Sequence, residues 1–372
     1  MSGPRYTRLA ASLPASVPFV GPETQERARG RPFLARLGAN ENPFGPSPRA
    51  VAAMERAARE AWMYGDPENR DLKDAIAARH GIDPAHVVVG EGIDGLLGYL
   101  VRLLVEPGDP VVTSDGAYPT FGFHVAGYGG TLDRVPYAGD REDPAALAAR
   151  AAATGARLIY LANPDNPMGT WWSGPEIARA VASVPDGTLL ALDEAYIDLA
   201  PDGTAPDIDP ADPRVIRLRT FSKGFGLAGA RVGYAICEKP LAAAFDKVRN
   251  HFGLSRVSQA AALAALSDGD WLAGVRVRVA EARDRIAAIV RDHDLEPLPS
   301  AANFVTVDCG RGGAFARAVL NALLARGVFV RMPFVAPHDR CIRISCGRDE
   351  DLAVFAAALP GALAEARASA PA

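Results

Sequence analysis

Lys223 lies directly after the apolar run "VIRLRTFS" and is flanked by Ser222 and Gly224, an odd position for a solvated surface charge. Desolvation and neighbouring cations depress a lysine's pKa and leave a nucleophilic amine, the property that imine-forming lysines need. Ser222 adjoins it and Arg231 follows eight residues on, so a phosphate could be held beside such an imine. The run "GTLLALDE" ends in Asp193 and Glu194; a carboxylate at a buried strand end needs either a cationic partner or a helix-capping role. "ARLIYLAN" passes into Asn163-Pro164-Asp165-Asn166-Pro167-Met168-Gly169-Thr170, a turn stiffened by prolines that presents amide side chains. "HVVVGEGIDGLLGYL" carries Gly90-x-Gly92-x-x-Gly95, with Asp115 roughly 20 residues on. That spacing suits a dinucleotide turn. It equally suits a helix N-terminus whose backbone N–H groups at Gly92, Ile93 and Asp94 grip a phosphate.

These groups all sit at the ends of strand-type runs. Between about residues 49 and 245, "HVVVG", "PVVTS", "ARLIYLAN", "GTLLALDE", "VIRLRTFS" and "RVGYAIC" alternate with helix-type stretches such as "DGLLGYLVRLLV", "PAALAARAAAT" and "GPEIARAVASV". Such alternation predicts an α/β fold with a mostly parallel sheet and helices on both faces. Ligands of such sheets bind at the carboxyl ends of the strands. Beyond residue 240 a long Ala-rich stretch (255–293) reads as helical and leads into a compact α+β unit. The expected division is an N-terminal arm (1–35) packing on the small domain, a large domain (36–245) and a small domain (246–372).

The 372 residues are 49% apolar and 23% charged, enough for a substantial core. A net charge of −4 with no polybasic run gives no electrostatic footprint for nucleic acid. No continuous apolar run approaches the roughly 20 residues that cross a bilayer, and the first residues lack the apolar segment of a secretory signal. Four cysteines without C-x-x-C spacing and six histidines without ligand spacing predict reduced thiols, no metal and a cytoplasmic setting.

One cofactor needs all of these groups together. An aldehyde with a protonated pyridine ring and a phosphate arm requires a lysine, a carboxylate for the ring nitrogen, donors for the phenolic oxygen and an anion cradle. Pyridoxal phosphate fits, and the Lys–Asp pairing is its mark. The glycine turn then serves this phosphate and not that of NAD.

Seven motifs in order resemble those of the fold-type I, pyridoxal-phosphate-dependent aminotransferases of classes I and II, and among them the histidinol-phosphate aminotransferase group. They are "GANENPFGPSP" (38–48), "YGDPENRDLKDAIAARHG" (64–81), "GEGIDGLL" (90–97), "NPDNPMGT" (163–170), "LDEAYIDL" (192–199), "TFSKGFGLAGARVGY" (220–234) and "CIRISCG" (341–347). The resemblance implies a large domain with a seven-stranded, mostly parallel sheet sandwiched by helices, and a smaller α+β domain. It implies that Lys223 forms the imine and later carries a proton between the substrate Cα and the cofactor. Asp193 would pair with the pyridinium, and Asn166 and Tyr196 would donate to the phenolic oxygen. Gly92, Ile93, Asp94, Ser222 and Arg231 would hold the phosphate, Phe121 would stack on the ring, and Tyr64 would reach a phosphate across the interface of a homodimer. Asn40, Arg331 and Arg343 would line the substrate side, with Arg343 clamping the substrate's anionic group.

Three features depart from the group's pattern. Ile93, Asp94 and Gly95 stand where it has a small or hydroxyl residue followed by an acidic pair, and Phe121 and Phe19 stand where it has tyrosines. The expected activity is amino transfer from histidinol phosphate, or from an aromatic or other amino acid, to a 2-oxo acid such as 2-oxoglutarate. A decarboxylase or oxidase using the same cofactor is the alternative, because the sequence does not show which Cα bond stands perpendicular to the ring.

Overall fold

The computed structural model describes residues 3, 5–15 and 20–369, so Phe19 lies outside the described residues. The chain begins with α1 (Arg8–Ser12), α2 (Pro22–Arg29), β1 (Ala35–Arg36), α3 (Pro48–Ala58), α4 (Arg70–His80), β2 (Val87–Gly90) and α5 (Gly92–Leu104). There follow β3 (Pro110–Ser114), α6 (Pro119–Gly127), β4 (Thr131–Val135), α7 (Pro144–Thr154), β5 (Leu158–Ala162), α8 (Gly174–Ala182), β6 (Leu189–Asp193), β7 (Val215–Thr220), β8 (Gly233–Ile236) and α9 (Lys239–Ala244). The last third holds α10 (Arg256–Leu266), α11 (Gly269–Arg291), β9 (Glu296–Pro297), β10 (Phe304–Asp308), α12 (Gly313–Ala325), β11 (Val328–Phe329), β12 (Cys341–Ser345) and α13 (Asp349–Ser369).

Seven strands form one sheet in the order β2-β8-β7-β6-β5-β3-β4. Strands β4, β3, β5, β6 and β7 pair in parallel, and β8 runs antiparallel to both β7 and β2. Every residue of β5 and β6 is buried, as expected for strands covered on both faces. The six runs seen in the sequence are six of these strands. The seventh, β4, is an edge strand with mostly exposed and half-buried side chains, so "TLDRV" lacks a continuous apolar signal.

Local signals fix the helices. Asp143 accepts from the backbone N–H groups of Ala145 and Ala146, Pro144 opens α7, and Gly155 ends it at φ 64°. A Ser173/Glu176 capping box starts α8. The Ala-rich stretch 255–293 is two helices rather than one, because Asp268 accepts from the N–H of Trp271 and begins α11 afresh.

Helix α10 packs on α3 and α4, and its Ala261, Ala262 and Ala265 share a core with Phe221, Tyr234 and Leu272. From Val275 onward α11 belongs to a second core, built on β10, β12, α12 and α13, which also takes in Ala35 and Leu37. The arm joins this second unit where β1 pairs in parallel with β11, and it also touches the sheet unit through Leu9, which approaches Gly129. Helix α13 has the length and apolar composition of a bilayer span, but Leu352, Phe355, Leu359 and Leu363 are buried in that second core.

Candidate active site

The carboxyl ends of β5, β6 and β7 and the start of α5 open on a cleft of about 390 Å³, closed on its other side by residues 38–41, Arg331–Phe334 and Arg343. Lys223, just past β7, donates from Nζ to the Asn40 carbonyl at 2.9 Å. Burial, helped by the Arg343 and Arg231 guanidinia and opposed by Glu41 and Asp193, pushes its ammonium down to about 8. Asp193 ends β6. Tyr160 donates its hydroxyl to Oδ2 at 2.7 Å, and the Ala195 N–H reaches Oδ1 at 2.9 Å. Burial outweighs these two donors and pushes the carboxyl up to about 6. A buried carboxyl raised in this way favours a cationic partner.

Asn40 is the hub on the substrate side. It sits at φ 54°, a left-handed conformation that asparagine tolerates. Its Nδ2 donates to the Tyr196 hydroxyl at 3.1 Å and its Oδ1 accepts from Ser345 at 2.8 Å. Its carbonyl accepts from Asn303 at 3.0 Å as well as from Lys223. Burial pushes the Tyr196 phenol well up, so it stays a neutral donor.

Arg343, in the middle of β12, donates from Nη1 to Oδ1 of Asn166 and from Nη2 to the Gly38 carbonyl at 3.3 Å. Its buried Nε has no hydrogen-bond partner, and no carboxylate lies within ion-pair distance among the described residues. Burial, with the charge of Arg331 adding to it, lowers this guanidinium to about 10. The two arginines are joined by backbone bonds of 3.2 and 2.6 Å, and residues bridged in this way across antiparallel backbones project to the same face. Arg331 also donates from Nη2 to the Val20 carbonyl at 2.7 Å, so the arm reaches the rim of the site.

The first turn of α5 forms the other end. Gly92 adopts φ +82°, and Glu91 provides no side-chain cap, so the opening N–H groups have no protein side chain to satisfy them. Arg231 lies over this turn. Its Nη1 donates to Ser222 Oγ at 3.3 Å and its Nη2 to the Glu91 carbonyl at 3.4 Å, and a Cβ on Gly92 would run into the guanidinium. Uncapped N–H groups, a guanidinium and a hydroxyl fit a phosphate dianion. The Asp94 carboxylate is paired with His124 at 3.2 Å.

The structure therefore gathers Asn40, Ile93, Asp94, Asn166, Asp193, Tyr196, Ser222, Lys223, Arg231, Arg331 and Arg343 around one cleft, with Gly92 at its edge. Two expected residues lie elsewhere. Phe121 is not a wall of the cleft: it falls in the first turn of α6, faces the sheet, and stacks on Tyr160 with ring centroids 4.7 Å apart. Tyr118, just before that helix, lines the cleft instead. Tyr64 is 77% exposed on the outer surface and packs against Phe252, so it does not enter the cleft of its own chain.

Sequence reasoning missed Tyr160, whose signal was a phenol inside the buried run "ARLIYLAN". It also missed Asn303 and Ser345, which act from behind Asn40 and carry no local signal. Glu194, beside Asp193, is structural: burial alone would raise its carboxyl, but Arg217 and Arg219, each at 2.8 Å, hold it down.

A sequence model of the family "Aminotransferase class I and II" matches residues 34–359. The chain is 35% identical to histidinol-phosphate aminotransferase 1 of Mesorhizobium japonicum over 88% of its own length and 89% of that protein's. It is 37% identical to the histidinol-phosphate aminotransferase of an Anaeromyxobacter species, over 91% and 93% of the two lengths. Among solved structures, the histidinol-phosphate aminotransferase of Sinorhizobium meliloti in complex with pyridoxal-5'-phosphate superposes with a TM-score of 0.94, at 52% identity and 99% coverage of both chains. An aspartate aminotransferase from Rhizobium meliloti, at 21% identity and a TM-score of 0.81, shares the fold. With the lysine, the carboxylate and the phosphate cradle at one strand-end cleft, the chain belongs to the class I and II aminotransferase family.

Proposed function

We propose that this chain is a pyridoxal-phosphate-dependent aminotransferase that takes an amino group from histidinol phosphate and delivers it to a 2-oxo acid such as 2-oxoglutarate. The observation that carries the reading is Arg343: a buried guanidinium with an unpartnered Nε and no ion pair among the described residues, beside Arg331 and across the cleft from Lys223. A buried cation without a counter-ion is costly unless a ligand brings one. A donor with a phosphate and an acceptor with carboxylates both bring one. The Sinorhizobium relative supports the cofactor and the Mesorhizobium and Anaeromyxobacter relatives support the donor.

Pyridoxal phosphate, when bound, supplies an aldehyde and an electron-accepting ring. The chain's own residues do the rest. The first turn of α5, Ser222 and Arg231 would hold the phosphate, Asp193 would keep the ring nitrogen protonated, and Asn166 and Tyr196 would hold the phenolic oxygen. Lys223, with its ammonium lowered to about 8, has a substantial neutral fraction near physiological pH and can take the proton from the substrate Cα. Arg343 and Arg331 would fix the substrate's anionic end, and Asn40 ties the Lys223 amine to Tyr196.

In the same reading the protein works as a homodimer in the cytoplasm. The exposed Tyr64–Phe252 ring pair, with Trp62 (82% exposed) nearby in sequence, offers apolar surface suited to a partner copy, and all four cysteines are buried and free, as suits a reducing compartment.

The test is the absorption spectrum of the purified protein with pyridoxal phosphate, read with histidinol phosphate, glutamate, phenylalanine and arginine in turn. The expected result is an imine band that bleaches with histidinol phosphate and returns with 2-oxoglutarate, and that is missing in Lys223→Ala. Bleaching by phenylalanine or arginine but not by histidinol phosphate would overturn the donor. A wild-type spectrum indistinguishable from that of Lys223→Ala would overturn the cofactor.

A further inference from the structure

Behind Asn166, outside the groups used above, two carboxyl side chains are buried together. Glu142 and Asp165 are each 2% exposed, and their side chains contact each other. Glu142 lies beneath the ends of β3 and β5, accepting from the Ser114 hydroxyl at 2.6 Å and from the Ala162 N–H at 3.0 Å. Asp165 accepts from the Tyr137 hydroxyl and from the Met168 N–H, each at 3.1 Å. Neither carboxyl has a cation within ion-pair distance among the described residues.

We propose that Glu142 and Asp165 form a carboxyl pair holding a single proton, and that this pair positions Asn166 and, through it, Arg343. Two buried carboxylates in contact and without a cation cannot both ionise. Both are pushed upward, chiefly by burial. The pair's place in the turn gives it leverage. Asp165 closes the turn through its own backbone, its N–H donating to the Thr170 carbonyl at 2.9 Å and its carbonyl accepting from Gly169 at 3.1 Å. Asn166 is the next residue, and its Oδ1 takes the Arg343 guanidinium. Loss of the shared proton would set two anions against each other beneath this turn.

The groups facing the pair are known. Tyr137 faces Asp165, with Asp115 near that phenol; Tyr160 lies by Glu142; and Arg343 lies by Asp165. The His338 ring packs on Tyr137 with centroids 4.6 Å apart and sits 3.5 Å from Asp140. Arg343 is the only cation among these that approaches through the cleft, and its Nη1 is already engaged by Asn166.

The sign follows from the upward shifts. Below the carboxyls' ordinary range both are protonated and the fold carries no penalty; between the two raised steps the pair holds one proton, and its contribution is lost as pH rises through the upper step. The first readout is infrared. The purified full-length protein should show the carbonyl stretch of an un-ionised, buried carboxylic acid near neutral pH, and this band should shift or weaken in both Asp165→Asn and Glu142→Gln, where the remaining carboxyl keeps its burial but loses its partner. The second is hydrogen exchange of the 163–170 turn, which should accelerate at alkaline pH beyond the intrinsic rate in wild type and not in Asp165→Asn. The third, which alone rests on the aminotransferase reading, is the KM for histidinol phosphate. It should rise about tenfold at alkaline pH in wild type, the equivalent of one pKa unit of coupling, and stay flat in Asp165→Asn.

A band unchanged by either substitution would overturn the pair. Alkaline exchange of the turn persisting in Asp165→Asn would overturn the positioning role. Absence of amino transfer by wild type would instead overturn the proposed function, and the first two readouts would still decide this inference.

Discussion

Asp193 shows at the scale of one residue how a site is kept ready for a charge it does not itself contain. Its carboxyl is pushed from 3.8 to about 6 by burial, against the donors Tyr160 and Ala195. Because the folded value is the higher one, ionisation weakens the fold. The penalty is absent below the unfolded value, grows as pH rises through about 6, and is complete above about pH 7. Two pKa units correspond to about 3 kcal/mol. Asp193→Asn should therefore raise the melting temperature of the cofactor-free protein above pH 7, with the gain gone by about pH 4, while amino transfer is lost. A variant no more stable than wild type at pH 8 would show that Tyr160 and Ala195 already offset the charge. The placement of Lys223 and Asp193 in the cleft was legible in the sequence because strand ends are where an α/β sheet exposes chemistry. Tyr160 and Asn303 were not, because a residue that acts from behind another is defined by its neighbours in space.

Among the elements, α5 shows how backbone carries function. Gly92 is required twice over: at φ +82° a side chain is strained, and a Cβ there would meet the Arg231 guanidinium. Gly92→Ala should weaken pyridoxal phosphate binding by tenfold or more, on the order of 1–2 kcal/mol. Titration of the cofactor's absorption would show this as a loss beyond the fall in melting temperature of the cofactor-free protein that the left-handed strain itself causes. Equal losses in both would mean that the glycine serves the fold rather than the phosphate. Taken alone, the same motif suits a dinucleotide as well as another phosphate; the lysine and carboxylate at the neighbouring strand ends tip the sequence reading to pyridoxal phosphate, and in space Arg231 lies over the turn and bonds Ser222. Elements with continuous burial, such as β5 and β6, were legible; β4 was not, because an edge strand needs no apolar run. The sequence places Phe121 near the cleft but cannot show which way the first turn of α6 faces, and the ring packs on Tyr160 rather than lining the cleft.

For the whole molecule, the question is whether one chain holds a complete site. The cleft is assembled from both units of the chain, yet Tyr64, Trp62 and Phe252 stand on the outer surface, where an isolated chain would leave three large aromatic rings in water. If Tyr64 completes the phosphate cradle of a partner copy, each site takes Lys223 from one subunit and Tyr64 from the other. Lys223→Ala is inactive in every site it builds, and Tyr64→Ala is weak at limiting pyridoxal phosphate, where a lost phosphate hydrogen bond is felt most. When equal amounts are unfolded and refolded together, about half of the dimers are hybrids, and each hybrid has one site with both residues intact. At limiting cofactor the mixture should therefore recover about a quarter of wild-type activity, above the mean of the separately refolded variants. If Tyr64 acted within its own chain, no hybrid site would gain anything and the mixture would show only that mean. The arithmetic depends on two-fold exchange alone, so it separates a shared site from a surface patch that merely associates.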